Sequence, residues 1–285
     1  MTIDKAVITA AGPSQRALPL QRLIDRDGQD RTVLAILVEE AAKAGMKQVA
    51  VVVHPGDESA CASAAEGASV KLHFIPQAGG AGYARAIWSA RDFTGSDPFL
   101  HLVGDHLYVG SEPGACAARL VEAATRERCS VSAVQATHES LLPNYGAVGG
   151  QPLTGHTDLY TVDSVIEKPT PTLAERSLVV PGLRTGQYLC FFGMHVLTPT
   201  LMDVLDSILA AGSTPPPSFS SALQALASRE RYLALLMDAR RYDLGVNYGL
   251  FMAQAALALN GRDRDEVLTR LVQLLAASPA RKVSL

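Results

Sequence analysis

Short runs of unbroken apolar residues alternate along this chain with stretches whose apolar positions recur every three or four residues. The first run, Ala6–Thr9, gives way to small residues and Gly12. The next, Val49–Val53, is valine-rich and carries no polar position, the pattern of a strand covered on both faces. Lys71–Ile75 and Phe99–Val103 read as further strands. Between the first two runs, Thr32–Ala44 places Val33, Ile36 and Leu37 at helical spacing, with Thr32 as its cap and Gly45 as its stop. Helices are also predicted near Glu58–Glu66, near Ala81–Arg91 and over Gly114–Arg128, followed by a strand over Ser130–Thr137. Asp25–Asp30 is a polar turn. Repeated strand–helix units imply a parallel sheet with right-handed crossovers.

After Thr137 the texture changes. Tyr145–Glu167 and Gln187–Val196 predict an antiparallel or mixed section, with turns at Gly149-Gly150 and around Pro181-Gly182. Helices resume at Pro199–Ala211. Pro215-Pro216-Pro217 reads as a stiff connection. A helix over Ser220–Ser228, a strand over Tyr232–Met237 and helices over Asn247–Asn260 and Asp265–Ala277 complete the chain.

With 285 residues, 48% of them hydrophobic, the chain is large enough for a sizeable core, and its composition is not that of a disordered protein. A net charge of −3 leaves no electrostatic footprint for a nucleic-acid backbone or an anionic membrane. Any phosphate ligand must therefore be met by local cations or a metal ion. Cys61, Cys116, Cys129 and Cys190 show no C-x-x-C spacing and read as isolated reduced thiols, which fits a cytoplasmic setting. No apolar run is long enough to span a bilayer, and the first residues carry no leader pattern.

Open α/β sheets bind ligands at the carboxyl ends of their strands. Three features fall at such ends: Ala10-Ala11-Gly12, Pro76-Gln77-Ala78-Gly79-Gly80, and Gly104-Asp105. Small residues and glycine let backbone N–H groups approach a ligand. A Gln77 side chain offers a donor and an acceptor together, the complement of a uracil or thymine edge. Asp105 stands where a Mg²⁺ ligand would sit beside phosphates. Glu167-Lys168-Pro169 ends another strand, where lysine can hold a phosphate and glutamate can accept from sugar hydroxyls. Asp243, in Arg241-Tyr242-Asp243-Leu244-Gly245, is either a second metal ligand or a first-turn carboxylate of a helix. Taken singly, each of these segments is also compatible with an ordinary turn. His101 and His106 are read as neutral hydrogen-bonding groups with no catalytic role. The glycines around Gly80 do not form a dinucleotide fingerprint, because Arg85 stands where its third glycine would be.

Six segments in order, Lys5–Arg16, Gly80–Ala84, Gly104-Asp105, Tyr145–Val148, Val165–Pro169 and Arg241–Gly245, resemble the sugar-1-phosphate nucleotidylyltransferases, and among them the bacterial UTP–glucose-1-phosphate uridylyltransferases. The resemblance covers nearly the whole chain. It implies a Rossmann-like α/β fold, with a mixed, mainly parallel sheet flanked by helices and an inserted antiparallel sugar-binding section. It implies one nucleotidyltransferase domain over residues 1–285, with a nucleotide-binding half (1–137), a sugar-binding mixed section (138–245) and C-terminal helices (246–285). Ala10, Ala11 and Gly12 would lie against the nucleotide, Arg16 on its triphosphate, and Gln77 and Gly82 on the base. Asp105 and Asp243 would hold Mg²⁺. Gly146 and Glu167 would contact the sugar and Lys168 its phosphate. The substrates would be a nucleoside triphosphate and a sugar 1-phosphate, and the assembly a homo-oligomer.

Two departures from the family pattern bear on activity. Its opening motif reads G-x-G-T-R, whereas this chain has Gly12-Pro13-Ser14-Gln15-Arg16. The family's catalytic lysine falls on Gln21, with Arg22 as an alternative source of that charge. The expected activity is transfer of a nucleotidyl group from UTP, or another nucleoside triphosphate such as TTP, to a sugar 1-phosphate, slowed by Gln21. The rival readings are a catalytically silent nucleotide or nucleotide-sugar binder and, against the missing fingerprint, a nicotinamide oxidoreductase.

Overall fold

The unbroken apolar runs lie side by side at the centre of a mixed sheet, where both of their faces are covered by helices. The computed structural model describes residues 1–12, 16–80, 82–212 and 217–277. Its strands are β1 (Lys5–Ala10), β2 (Arg22–Ile24), β3 (Asp30–Thr32), β4 (Gln48–Val53), β5 (Lys71–Pro76), β6 (Phe99–Val103), β7 (His106–Val109), β8 (Ser130–His138), β9 (Gly146–Gly149), β10 (Leu159–Thr161), β11 (Ser164–Glu167), β12 (Gln187–Leu197), β13 (Tyr232–Leu236) and β14 (Arg240–Asp243). Its helices are α1 (Val33–Lys43), α2 (Glu58–Ala64), α3 (Tyr83–Trp88), α4 (Arg91–Thr94), α5 (Ala115–Glu127), α6 (Pro171–Ser177), α7 (Thr200–Ala210), α8 (Phe219–Ala227), α9 (Gly249–Leu259) and α10 (Arg264–Ala277).

The main sheet runs β10-β13-β8-β12-β6-β1-β4-β5, with β9 and β11 branching from β12. Strands β6, β1, β4 and β5 are parallel, as the repeated strand–helix rhythm requires. The antiparallel character enters with β12, which lies between β6 and β8 and shifts register between Phe191 and His195. Alternate residues of β1 feed two core layers. Ala6 and Ile8 pack with Leu34 and Leu37 of α1 and Leu120 of α5, whereas Val7 packs with Ile87 of α3, Leu201 of α7 and Leu223 of α8. Thr32 caps α1 as expected, its hydroxyl accepting the Ala35 N–H at 3.0 Å. All four cysteines are buried and unpaired. Among the described residues no helix is long and apolar enough to cross a membrane.

Several elements differ from expectation. The polar turn Asp25–Asp30 is the tip of a β2–β3 hairpin, closed by Asp25 Oδ1 accepting the N–H groups of Asp27 and Gln29 at 2.9 and 2.8 Å. The helix expected near Ala81–Arg91 is two short pieces, α3 and α4. Helix α6 was not anticipated; Thr170 caps it and Pro171 opens it, both ordinary start signals hidden by the preceding Pro169. The ribbon formed by β7 and β14 is a further difference: each strand is only four residues long, and β14 is polar and mostly half-buried. Of the residues singled out in the sequence, Pro13, Ser14, Gln15, Ala81, Pro215 and Pro216 lie outside the described residues.

A buried polar chain crosses the centre of the sheet. His195 of β12 sits opposite His101 of β6, with their rings 5.7 Å apart. The Ser132 hydroxyl lies 2.5 Å from His195 Nδ1 and 2.5 Å from the Tyr232 hydroxyl. His101 Nε2 lies 3.3 Å from Thr9 Oγ1, and its Nδ1 has no hydrogen-bond partner among the described residues. Burial pushes the His195 imidazole down to about 3, and burial with His195 alongside pushes His101 well below its ordinary value. Both are therefore neutral when folded, while the unfolded chain takes up their protons below ~6.5. The unfolded state then binds more protons than the native one, so stability falls as pH drops below ~6.5, by up to about 1.4 kcal/mol per pH unit for each histidine. Denaturant unfolding followed across this window is expected to show that slope, and His195→Gln to reduce it; an unchanged slope would remove the histidines as its source.

Candidate active site

Strand β1 leads through α1 to β4 on one flank, while β6 lies on its other flank. That reversal leaves a crevice between the carboxyl ends of β1 and β6, the place where such sheets bind ligands. A cleft of about 460 Å³ opens there. Its wall includes Ala10, Ala11 and Gly12 from the end of β1, Gln77 and Gly82 from the loop after β5, and Asp105 after β6. Its lining also includes Asp243, at the end of β14 and close to Asp105, and Gly146, Glu167 and Lys168 from the β9–β11 section. The fold thus brings these ten expected residues to one cavity from segments scattered along the chain.

Backbone proximity builds the floor. The Gly104 N–H donates to the Thr9 carbonyl at 2.9 Å. A Cβ on Gly104 would stand 2.4 Å from that oxygen, so only glycine lets the two strand ends approach this closely.

Asp105 and Asp243 meet through the β7–β14 ribbon. Its antiparallel register sets Asp243 opposite His106, and the Leu244 N–H donates to the Asp105 carbonyl at 2.9 Å. One potential ligand atom from each of Asp105, His106 and Asp243 lies within 4.8 Å of the others. Asp105 Oδ1 is 2.7 Å from His106 Nδ1, and Asp243 Oδ1 accepts the Gly245 N–H at 2.8 Å. Among the described residues neither carboxylate is paired with a lysine or arginine. Two unneutralised carboxylates facing a cleft are a donor set suited to a hard divalent cation. Asp243 is no helix-start carboxylate, since α9 begins only at Gly249.

Glu167 and Gly146 form a second cluster. They are paired across β9 and β11, and Glu167 Oε2 accepts a hydrogen bond from the Ser220 hydroxyl at the start of α8. Ser220 is buried. A Cβ on Gly146 would lie 2.7 Å from Ser220 Oγ and 2.9 Å from the Phe191 ring, so a side chain there would push into this bond. Lys168 adopts the left-handed backbone region, at φ +46°, and its N–H donates to the Tyr145 carbonyl at 3.1 Å. Such a conformation is unfavourable for lysine and is commonly retained where a site demands it. Among the described residues no carboxylate forms an ion pair with Lys168.

Gln77 is turned back on its own loop, with Nε2 donating to the Gly80 carbonyl at 2.6 Å. Two expected residues lie off the cleft wall. Arg16 forms a two-pronged pair with Asp57, its Nε donating to Oδ2 at 2.7 Å. Gln21 follows the single helical turn Leu18–Leu20 and is exposed, with its Nε2 3.4 Å from the Ala17 carbonyl. Arg22 is directed to Asp30 across the β2–β3 hairpin, at 3.0 Å, and does not supply a charge to the cleft.

Sequence reasoning missed His106, Ser220 and the aromatic lining of Tyr83, Phe191, His195 and Phe219. His106 adjoins Asp105 in the chain, and that adjacency was the available signal. Nothing in the sequence links Ser220 to Glu167; their contact follows from α8 packing on β11.

The chain matches the model of the family described as "Nucleotidyl transferase" over residues 5–259. It is 24% identical over 300 residues to a UTP–glucose-1-phosphate uridylyltransferase 2 of Streptococcus pyogenes serotype M3, covering 95% of this chain and 96% of that one. Identity to a UTP–glucose-1-phosphate uridylyltransferase of Streptococcus pneumoniae serotype 4 is 25%, with the same coverage. Among solved structures, UDP-glucose pyrophosphorylase complexed with UDP-glucose superimposes with a TM-score of 0.72 at 22% identity, over 90% of this chain and 98% of that one. UTP-bound UGPase from Acinetobacter baumannii gives a TM-score of 0.73 at 19% identity, over 96% of this chain and all of the other. With a family model matched from the first strand to the end of α9, and relatives aligned over nearly their full length, this chain belongs to the nucleotidyl transferase family.

Proposed function

We propose that the protein transfers a nucleotidyl group from UTP, or another nucleoside triphosphate, to a sugar 1-phosphate, giving a nucleotide sugar and pyrophosphate. The observation that carries this reading is one cleft lined both by an unneutralised carboxylate pair and by Glu167-Lys168. The relatives named above as acting on UTP and glucose 1-phosphate support the same substrates.

In this reading the nucleotide lies along Ala10-Ala11-Gly12, where no side chain holds it off the backbone. Gln77 and Gly82 meet the base, which requires the Gln77 amide to exchange its Gly80 partner for the base edge. Gly146 and Glu167 receive the sugar, and Lys168 holds its phosphate as a point charge. A phosphate oxygen then attacks the α-phosphorus in line, and the bond to pyrophosphate breaks. The protein's work is positioning and charge neutralisation. Asp105 and Asp243 would hold Mg²⁺, which would supply neutralisation of the α-phosphate and the leaving group. Arg16 reaches the triphosphate by exchanging the Asp57 carboxylate for phosphate.

Pyrophosphate release from UTP and glucose 1-phosphate with Mg²⁺ tests the reading. Asp105→Ala is expected to abolish release. Gln21→Lys is expected to raise it, since one transition-state donor is typically worth about 10²–10³ in rate. No release from the unchanged protein, with UTP still bound in calorimetry, would instead establish the silent binder.

Ser220 adds a sharper test. Its hydroxyl holds the Glu167 carboxylate that faces the sugar. Ser220→Ala is expected to raise the KM for sugar 1-phosphate roughly tenfold, in line with loss of a hydrogen bond to a charged group, and to leave the KM for UTP unchanged. Equal changes in both would show that Ser220 acts on the fold rather than on Glu167.

A further inference from the structure

We propose that His106 is a third ligand of the cation held by Asp105 and Asp243, and that its nitrogen tunes the site toward Mn²⁺, Co²⁺ and Zn²⁺ relative to Mg²⁺. The proposal rests on the reading of the two aspartates as cation ligands and goes beyond it in naming a nitrogen donor.

Three observations support it. His106 is adjacent to Asp105 in the chain and opposite Asp243 in the β7–β14 register, so the same ribbon end presents all three groups. Their potential ligand atoms lie within 4.8 Å of one another. Around a six-coordinate ion with bonds of ~2.1 Å, adjacent ligands stand about 3 Å apart and opposite ones about 4.2 Å. The 2.7 Å between His106 Nδ1 and Asp105 Oδ1 is close to the adjacent spacing. Finally, the ring is confined: His106 and Asp105 side chains are 13% and 15% exposed, and a Cβ built on Gly193 would lie 3.4 Å from His106 Cδ2.

Without a cation, Nδ1 and the Asp105 oxygen satisfy each other through a hydrogen bond. With a cation they become neighbouring ligands, and the ring proton resides on Nε2. Carboxylate-only sites suit Mg²⁺, whereas imidazole suits later divalent ions, so adding one nitrogen to two carboxylates shifts the preference. The competing role for His106 is to orient Asp105 by hydrogen bonding, with no bond to the ion.

Mn²⁺ electron spin-echo spectroscopy separates the two roles. The full-length protein would carry ¹⁵N-imidazole histidine and bound UTP. A directly bound nitrogen is expected to give a ¹⁵N coupling that disappears in His106→Asn. Calorimetry without nucleotide is expected to show Co²⁺ affinity falling roughly tenfold or more in His106→Asn, with Mg²⁺ affinity little changed. Mn²⁺ bound in an Asp243-dependent way without a ¹⁵N coupling would overturn the proposal and leave the two-carboxylate site standing. Mn²⁺ binding that survives Asp243→Asn, or no Mn²⁺ binding at all, would overturn both.

Discussion

The site depends on a short antiparallel ribbon. Two carboxylates repel each other, and a chain does not place Asp105 beside Asp243 without something holding them there. Strands β7 and β14 do so, with Asp243 opposite His106 and the Asp105 carbonyl receiving the Leu244 N–H. The ribbon is itself anchored. Leu107 is buried in the core, and the Tyr108 hydroxyl donates to the Gly193 carbonyl at 2.6 Å, at the register shift of β12. On the other strand, the Arg241 guanidinium lies 3.5 Å over the Tyr145 ring. Tyr145 in turn receives the Lys168 N–H. A continuous set of contacts therefore runs from the ribbon that carries the aspartate pair, through Arg241 and Tyr145, to the backbone of Lys168. The ribbon thus ties the aspartate pair to the segment that carries Lys168, so their spacing is set by the fold.

That element was also the hardest to read from the sequence. Long strands such as Val49–Val53 announce themselves because burial on both faces forces every position to be apolar. Four-residue strands such as His106–Val109 and Arg240–Asp243 are too short for hydrophobic periodicity to give a signal: the first continues an apolar run already read as one strand, and the second is polar and mostly half-buried. The residues they position were nonetheless legible. Asp105 follows an apolar strand directly, and Asp243 belongs to a motif recognised by its order among others. His106 is marked only by its adjacency to Asp105, and Ser220 carries no such mark. Ser220 reaches Glu167 only because α8 lies on β11, a contact between distant segments that local pattern does not encode. The buried pair His101–His195 escaped for a related reason, since each sits in an ordinary strand run and only the β6–β12 register brings them face to face.

The departures at the phosphate end can be weighed from the structure's charges. In the proposed reaction, Lys168 is the one lysine or arginine on the described cleft wall, and it serves the sugar phosphate. The triphosphate then has Arg16, the cation and backbone N–H groups to neutralise it. Arg16 is held by Asp57, but the guanidinium is exposed on a half-buried carboxylate, and water screens a pair at the surface. Phosphate, with more charge and the same two-pronged geometry, can take the guanidinium from Asp57 at little cost. Gln21 is different. A neutral amide on an exposed turn cannot acquire a charge by rearrangement, and Arg22 is committed to the far side of its hairpin. In the proposed reaction, nucleotide binding is then less affected than the chemical step, where charge would build on the leaving pyrophosphate. Under the proposed reaction, the means of binding the nucleotide are largely intact, and the charge that Gln21 does not provide falls to the cation site.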